Sequence, residues 1–438
     1  MSRRWLAPAV AAAVAATGLA ATLIRPANPR PSTNGITVTG VESTATFCGG
    51  LGTGPGLAWV TLRNSADAAR TVAVREDSTI PGRHREVTLH LGAHRTQTVR
   101  PAVAGSWFGV TAIIDGGGVT ASTVAPDGAS APCAASGVTS WDATGLATTV
   151  GSYATLVLYN PLPTEAVANL TAQTPNGFLA PAAYQGLSVP GESVLALPLA
   201  KRVVDQATVG LRLRVLRGAL NVVGVERVGA LVSYDTGATE PHTAWALPLV
   251  TTVRDATSAL VVANPGPGTV AVRAAITLGS FSVPTQVLDV GPFSVGRITI
   301  SPNSAIPAHA YADVRVRASA PLSAALVTGD ASGWLVSTPG VPSRAYLVSD
   351  ATGRGFDAVA VVNTSPHPLE VTVSAGRVLV HATVPSEQSV NLRRLAPQLD
   401  HLRGRTVLVS APRDALVVSA TLPTRPAGLV VVTPLHGG

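Results

Sequence analysis

The chain predicts an all-β protein, built of repeated two-sheet units that follow one N-terminal apolar helix. Three observations predict it. Short apolar runs recur at a spacing of roughly one hundred residues, each followed by a turn and an alternating strand. Gly 42 and Pro 34 among 438 residues are too many for a helical protein. After residue 32 no stretch keeps a helical period; Pro198 to Val204 and Leu392 to Leu402 allow a turn or two of helix at most.

Composition sets the outer limits. Charged residues make up 13% and hydrophobic residues 46%, with a mean hydropathy of +0.34. A disordered, highly charged chain and a coiled coil are excluded, since both need more charge. A polytopic membrane protein is disfavoured, because only one segment has enough unbroken apolar length.

That segment is the first element. Trp5 to Ile24 holds twenty positions without a charge, preceded by Arg3 and Arg4 and followed by Arg25. At about 1.5 Å per residue it spans about 30 Å, the thickness of a bilayer's hydrocarbon core. As a signal-anchor it stays in the cytoplasmic membrane with Arg3 and Arg4 inside. As a signal peptide it is cut after a small-x-small site such as Gly18-Leu19-Ala20, and the product is secreted. Either reading places the bulk of the chain outside the cytoplasm. Pro26 to Ser32 reads as a semi-extended spacer, so residues 1–32 form anchor and spacer. In that setting the isolated pair Cys48 and Cys133 is expected to form one disulfide, the alternative being two free thiols.

The repeat is the informative feature. Four apolar runs end in Asn64, Asn160, Asn264 and Asn363, which lie 96, 104 and 99 residues apart. Ser65, Pro161, Pro265 or Thr364 follows, and then a strand such as Val270-Ala-Val272. Asn suits such a corner because its short amide can bond freed backbone groups. Further on, Val189-Pro-Gly-Glu-Ser193 aligns with Val290-Gly-Pro-Phe-Ser294 and with Val384-Pro-Ser-Glu-Gln-Ser389. Ser193, Ser294 and Ser389 are therefore expected at equivalent turns. Leu89 to Thr96 is the weakest copy, and the first unit is expected to fit worst. Each copy closes with a hairpin, and an aromatic opens three of them: Trp141, Trp245 and Tyr346. Six or seven short strands per unit, with turns every 8–12 residues, are the sign of a β-sandwich. The prediction is four tandem immunoglobulin-like β-sandwich modules, at 33–136, 137–238, 239–338 and 339–438.

The anchor, the apolar-Asn-Pro corner and the Val-Pro-x-x-Ser-Val turn resemble an uncharacterised actinobacterial family of exported, membrane-anchored domain-of-unknown-function proteins. The resemblance covers most of residues 40–430. It implies a cell-envelope setting, where such proteins tend to accompany cell-surface glycan machinery, and it supplies no catalytic residues.

Net charge is +7, with Lys201 the single lysine. Nucleic-acid binding needs clustered basic residues. The densest stretch, Arg83 to Arg100, alternates with Val87, Leu89 and Leu91 and reads as a solvated strand face, so no nucleic-acid partner is expected.

Chemical motifs do not emerge. Ser294 in Gly291-Pro-Phe-Ser-Val-Gly296 is a turn serine rather than a nucleophile elbow. His90 and His94 on one strand would lie about 13 Å apart, too far to share a metal ion. No cofactor or catalytic set is expected. Trp141 and Trp245 occupy equivalent repeat positions and read as core, while Trp107 and Trp334 sit in loop-like context and are the candidate glycan contacts. The expected function is a non-catalytic, membrane-tethered envelope scaffold with a protein partner. The alternative is a cell-surface glycan-binding protein.

Overall fold

Alternating small and β-branched residues make the strands. In Val270–Leu278, Val270, Val272, Ala274 and Ile276 are buried while Ala271 and Arg273 are exposed, the two-faced pattern of a pleated strand with one side on a core. The computed structural model describes residues 43–435 apart from 53–57, 65, 127–128, 230, 253–256, 279–280, 309, 331–332, 338–344, 350–357, 376–377, 393–405, 414, 422–428 and 432. The candidate membrane span at 5–24 and the spacer at 26–32 lie outside the described residues.

The described chain is all-β, with several antiparallel sheets. Its helical content among the described residues is two 3-10 turns, Ala182–Tyr184 and Leu199–Lys201, and the single residue Leu392. Every strand lies inside one of the four sequence blocks 33–136, 137–238, 239–338 and 339–438. The first block pairs Ser43–Gly52, Trp107–Asp115, Arg70–Ser78 and His84–Leu91 in one sheet. Its second sheet pairs Ser130–Pro132, Val119–Val124, Trp59–Asn64 and Thr96–Val99. The second block repeats the plan. One sheet runs Gly177–Leu179, Ala166–Thr174, Val209–Arg217, Ser140–Leu146, and the other Ser193–Pro198, Ser152–Asn160, Asn221–Val228, Leu231–Asp235. In the third block the 20-residue strand Tyr311–Asp330 pairs with Val270–Leu278 through its first half and with Thr257–Ala263 through its second. In the fourth, Leu369–Ala375 pairs with Thr406–Ser410, and Ala358–Asn363 with Leu416–Thr421. One pairing joins the fourth block to the first: Val430 bridges Ser130 in a parallel pair.

Burial shows how the blocks meet. Ser43–Gly438 forms one compact unit. In the first core, Val60, Leu62, Phe108 and Val110 cluster with Val157, Tyr159, Val223 and Tyr234 of the second block. The second block's core likewise continues into Val261, Ala263, Ala325 and Val327 of the third. The cores of the third and fourth blocks stay separate. Side chains on the outer sheet faces of the first three blocks are therefore committed to junctions, hereafter called joints, and the third joint is built differently from the first two.

Candidate functional site: repeated corners and the joints they make

Each corner begins with an asparagine that is fully buried. The Asn64, Asn160, Asn264 and Asn363 amides each donate to the carbonyl four residues on (Ala68, Thr164, Gly268, His367) at 2.7–2.8 Å. They also donate to Leu91, Val189, Val290 and Val384 at 3.0–3.2 Å. A third acceptor is the next carbonyl, on Gly92, Pro190, Gly291 or Pro385, at 2.8–3.2 Å. Each Oδ1 accepts the N–H two residues on, from Ala66, Leu162, Gly266 or Ser365, at 2.8–3.1 Å. One side chain thus satisfies backbone groups of two separate turns, which would otherwise be buried without partners.

The partner turn is also the same four times. Its third residue is left-handed in every copy: His94 at φ 56, Glu192 at 54, Phe293 at 51 and Glu387 at 52. The residue opposite the corner Asn is Arg95, Ser193, Ser294 or Gln388. This corrects two expectations. Ser389 is not the counterpart of Ser193 and Ser294; it pairs with Val362, one step further along, and Gln388 holds the place. The first block's turn is not degraded either, since Leu91 and Gly92 accept the Asn64 amide, Arg95 O accepts the Asn64 N–H and His94 is left-handed as its counterparts are. The reason is physical: the turn requires open carbonyls and one left-handed residue. The hydroxyls of Ser193 and Ser294, which bond Pro190 and Gly291 at 2.8 and 2.9 Å, are dispensable.

The corners meet the preceding block through arginine. At the first joint Arg75 spans the boundary: its Nη1 lies 2.7 Å from Glu192 Oε1 and its Nη2 donates to the Pro161 carbonyl at 2.7 Å. Nε bonds Asp77 at 3.1 Å. Tyr159 inserts beside it, its hydroxyl 2.6 Å from both Asp77 Oδ2 and Thr111 Oγ1. Burial, and then the Asp77 charge, push the Tyr159 phenol far above its ordinary value. Burial also raises the Asp77 carboxyl, against the pull of Tyr159 and Arg75. For Arg75 burial works against the charge, but Asp77, Tyr159 and Glu192 outweigh it and raise the pKa. Gly109 makes room for Tyr159: a Cβ there would fall 2.3 Å from the ring.

At the second joint Arg212 donates to Pro265 O at 3.4 Å, and its Nε lies 3.3 Å from Asp142 Oδ1. Arg214 reaches the same carboxylate at 4.0 Å. Phe178 and Phe293 pack with centroids 5.7 Å apart. Gly210 faces Ala263, 2.7 Å from where a Cβ would sit. At the third joint Arg315 donates to Asn363 O at 3.4 Å and meets Glu387 at 3.4 Å, while Arg317 meets Glu387 at 3.2 Å.

Strand register shows that these arginines occupy one place. Three side-by-side residues recur on the outer sheet face: Phe47, Thr111 and Arg75; Asp142, Arg212 and Thr171; Ala246, Arg315 and Ala275. Each row carries one joint-spanning arginine, on the middle strand or on its neighbour. In the fourth block the row is Leu347, Leu408 and Ser374, with no arginine. Register also aligns Gly109 and Gly210 with Asp313. The third joint therefore has a residue with a side chain where the others have glycine, and Ala246 where they have Phe47 or Asp142. A cavity of about 420 Å³ opens there, lined by His242, Ala244, Ala246, Arg315, Arg317 and Glu387 among others.

The remaining candidates fall as follows. Cys48 and Cys133 form a disulfide with Cα atoms 4.4 Å apart. Trp141 and Trp245 are buried, their indole N–H groups bonding Thr236 O and Leu322 O at 2.7 and 3.0 Å. Trp107 is half-buried and its ring lies against Gly52. The Trp334 backbone pairs with Gly329, and its side chain lies outside the described residues. His94 pairs with Asp67 at 3.0 Å, and no group of three metal-ligating side chains occurs among the described residues. The joint arginines escape sequence reading because the charge moves between neighbouring strands, a relation visible only in register. Comparison with protein-family models finds no match for this chain, and no curated protein is significantly similar to it.

Proposed function

We propose that the chain is an exported, membrane-tethered, non-catalytic scaffold of the cell envelope, held by residues 5–24 and presenting four immunoglobulin-like modules to a protein partner. One observation carries this reading. Buried polar side chains of the first joint, Asp77, Tyr159 and Thr111, are spent on locking one block to the next, and the same arginine row recurs at each later joint. A chain that invests its interior polar groups in joints is organised to hold distant surfaces at a set separation. The Cys48–Cys133 disulfide fits an oxidising compartment outside the cytoplasm. Glycan binding through Trp107 and Trp334 is the lesser reading, since Trp107 packs on its own block.

The test has two arms in cells that make the protein. An epitope after residue 438 should be removed by protease added outside intact cells while the chain stays with the membrane; a protected epitope overturns the topology. Photo-crosslinking from exposed positions such as Phe178 and Val287 should then capture one envelope protein with the wild-type chain and lose it with Gly109→Ala, which loosens the first joint. An unchanged cross-link in that variant counts against a scaffold that depends on rigid joints.

A further inference from the structure

At the first two joints the strand that ends in the corner Asn turns its outer face to the preceding block. Val157 and Tyr159, three and one residues before Asn160, enter the first core. Val261 and Ala263, at the same steps before Asn264, enter the second. The first block has the same face on Trp59–Asn64, but there the two places hold Thr61 and Arg63. Neither belongs to a hydrophobic cluster. Among the described residues this strand pairs with Thr96–Val99 and Val119–Val124 of its own block.

Polar side chains replace apolar ones across the face. Register sets Thr96 beside Arg63 and Thr98 beside the buried Thr61. Thr96, Thr98 and Arg100 are exposed, and Trp59 and Arg63 are half-buried. The four strands of this sheet carry no carboxylate. Arg63 Nη1 donates to Thr96 Oγ1 at 3.1 Å, while its buried Nε meets no acceptor among the described residues. Burial lowers the Arg63 pKa, and no acid offsets it. At the other end of the row Arg100 lies over the Trp59 ring, 5.7 Å from its centroid. Four residues separate Arg63 from Trp59, which at about 3.3 Å per residue is about 13 Å along the strand.

Such a face is ill suited to another block of this chain. A block would bring its row arginine toward Arg63, like charge against like, where the other joints offer Tyr159, Ala263 or Val362. It suits a ligand that repeats negative charge along its length, since the two guanidinium groups stand at separate ends of the row. Threonine hydroxyls both donate and accept, which matches a hydroxyl-rich body, and Trp59 adds an apolar ring surface.

We propose that the outer face of the first block's corner sheet binds an acidic polysaccharide, with Arg63 and Arg100 receiving carboxylates of separate sugar units and Thr96 and Thr98 bonding the hydroxyls between them. The site is distinct from Trp107 and Trp334. It does not rest on the scaffold reading, because it concerns a ligand of the purified chain and requires no protein partner.

The test is calorimetric titration of the full-length chain in mild detergent with polygalacturonate, neutral dextran and poly-L-glutamate. Polygalacturonate should bind about tenfold or more tightly than either comparison polymer, the scale of one charge-assisted bond. Arg63→Gln and Arg100→Gln should each weaken it about tenfold with the melting temperature kept. Thr98→Val, of the same shape, should weaken it about threefold. Arg83→Gln removes the same charge from an exposed position elsewhere in the block and should leave binding unchanged. Dextran binding as tightly as polygalacturonate refutes charge recognition. Equal binding of poly-L-glutamate assigns the face to an acidic protein and overturns the saccharide. An equal loss in Arg83→Gln reduces the effect to net charge, and absence of polygalacturonate binding overturns the proposal outright.

Discussion

The first and third joints use one frame with opposite fillings. At the first, Gly109 lets the next block approach, and Tyr159 fills the gap and reaches Asp77 and Thr111. At the third, Asp313 stands in the glycine's place and Ala246 in Phe47's, so the arginine reaches the corner across a cavity. The corner is the same in both: a buried Asn, a left-handed turn residue and a glutamate on it, Glu192 or Glu387. The difference teaches that corner and filling are separable. The corner sets where the next block attaches, and two or three small side chains decide whether the joint is solid or hollow.

The largest effect should come from the Cys48–Cys133 disulfide, which pins the block that carries the solid joint. Replacing both cysteines by Ala should cost about 2–5 kcal/mol, read as a lower denaturant midpoint, with the fourth block's signals unfolding where they did before. Equal loss in both would show that the blocks do not unfold separately. Next is Gly109→Ala. A Cβ 2.3 Å from a buried ring cannot be absorbed by a flexible side chain, and about 1–3 kcal/mol is expected for such overpacking. Asp313→Gly at the equivalent position should let the fourth block approach and shrink the cavity, as a crystal structure would report.

Tyr159→Phe isolates the polar part of the filling. It leaves Asp77 and Thr111 without their buried partner, for a cost of about 1–2 kcal/mol. Val362, which precedes Asn363 as Tyr159 precedes Asn160, should be replaceable by Ala with a smaller polar consequence, though it loses packing. The smallest effect is one of pH. Burial, against bonds from Ser152 and the Ala147 N–H, pushes the Glu226 carboxyl from 4.5 up to about 7. A raised acid binds its proton more tightly in the folded chain. Its favourable contribution is full below about pH 4.5 and is lost as pH rises through about 7. Glu226→Gln should flatten the melting temperature across that window, whereas the wild-type chain declines. A decline that persists in the variant assigns the titration to another group.

Much of this was legible in the chain itself, and the limit is instructive. Asn64, Asn160, Asn264 and Asn363 could be found because Asn carries two N–H donors and a separate acceptor oxygen one carbon from the backbone, a set that no hydroxyl or carboxylate offers. The Cys pair, the all-β class and the buried Trp141 and Trp245 followed from equally local chemistry. Ser389 was misplaced by one residue because identity of letters was weighed above the left-handed dihedral that Glu387 supplies. The joints were invisible for a different reason. Arg75 is 11 residues after its Asn, while Arg212 and Arg315 are 52 and 51 residues after theirs. Only the lateral pairing of Arg75 with Thr111, Thr171 with Arg212 and Ala275 with Arg315 makes them one position.

The arginine row also gives the array a direction. Each of the first three blocks carries the donor toward its successor, and the fourth has Leu347, Leu408 and Ser374 in that row. The fillings act as addresses: the Gly109 socket is cut for Tyr159, and the Gly210 socket for the smaller Ala263. Exchanging the second and third blocks would put a methyl group in a phenol's hole and leave Asp77 with Arg75 but without its tyrosine. Block order is thus written into the joints as well as into the covalent chain.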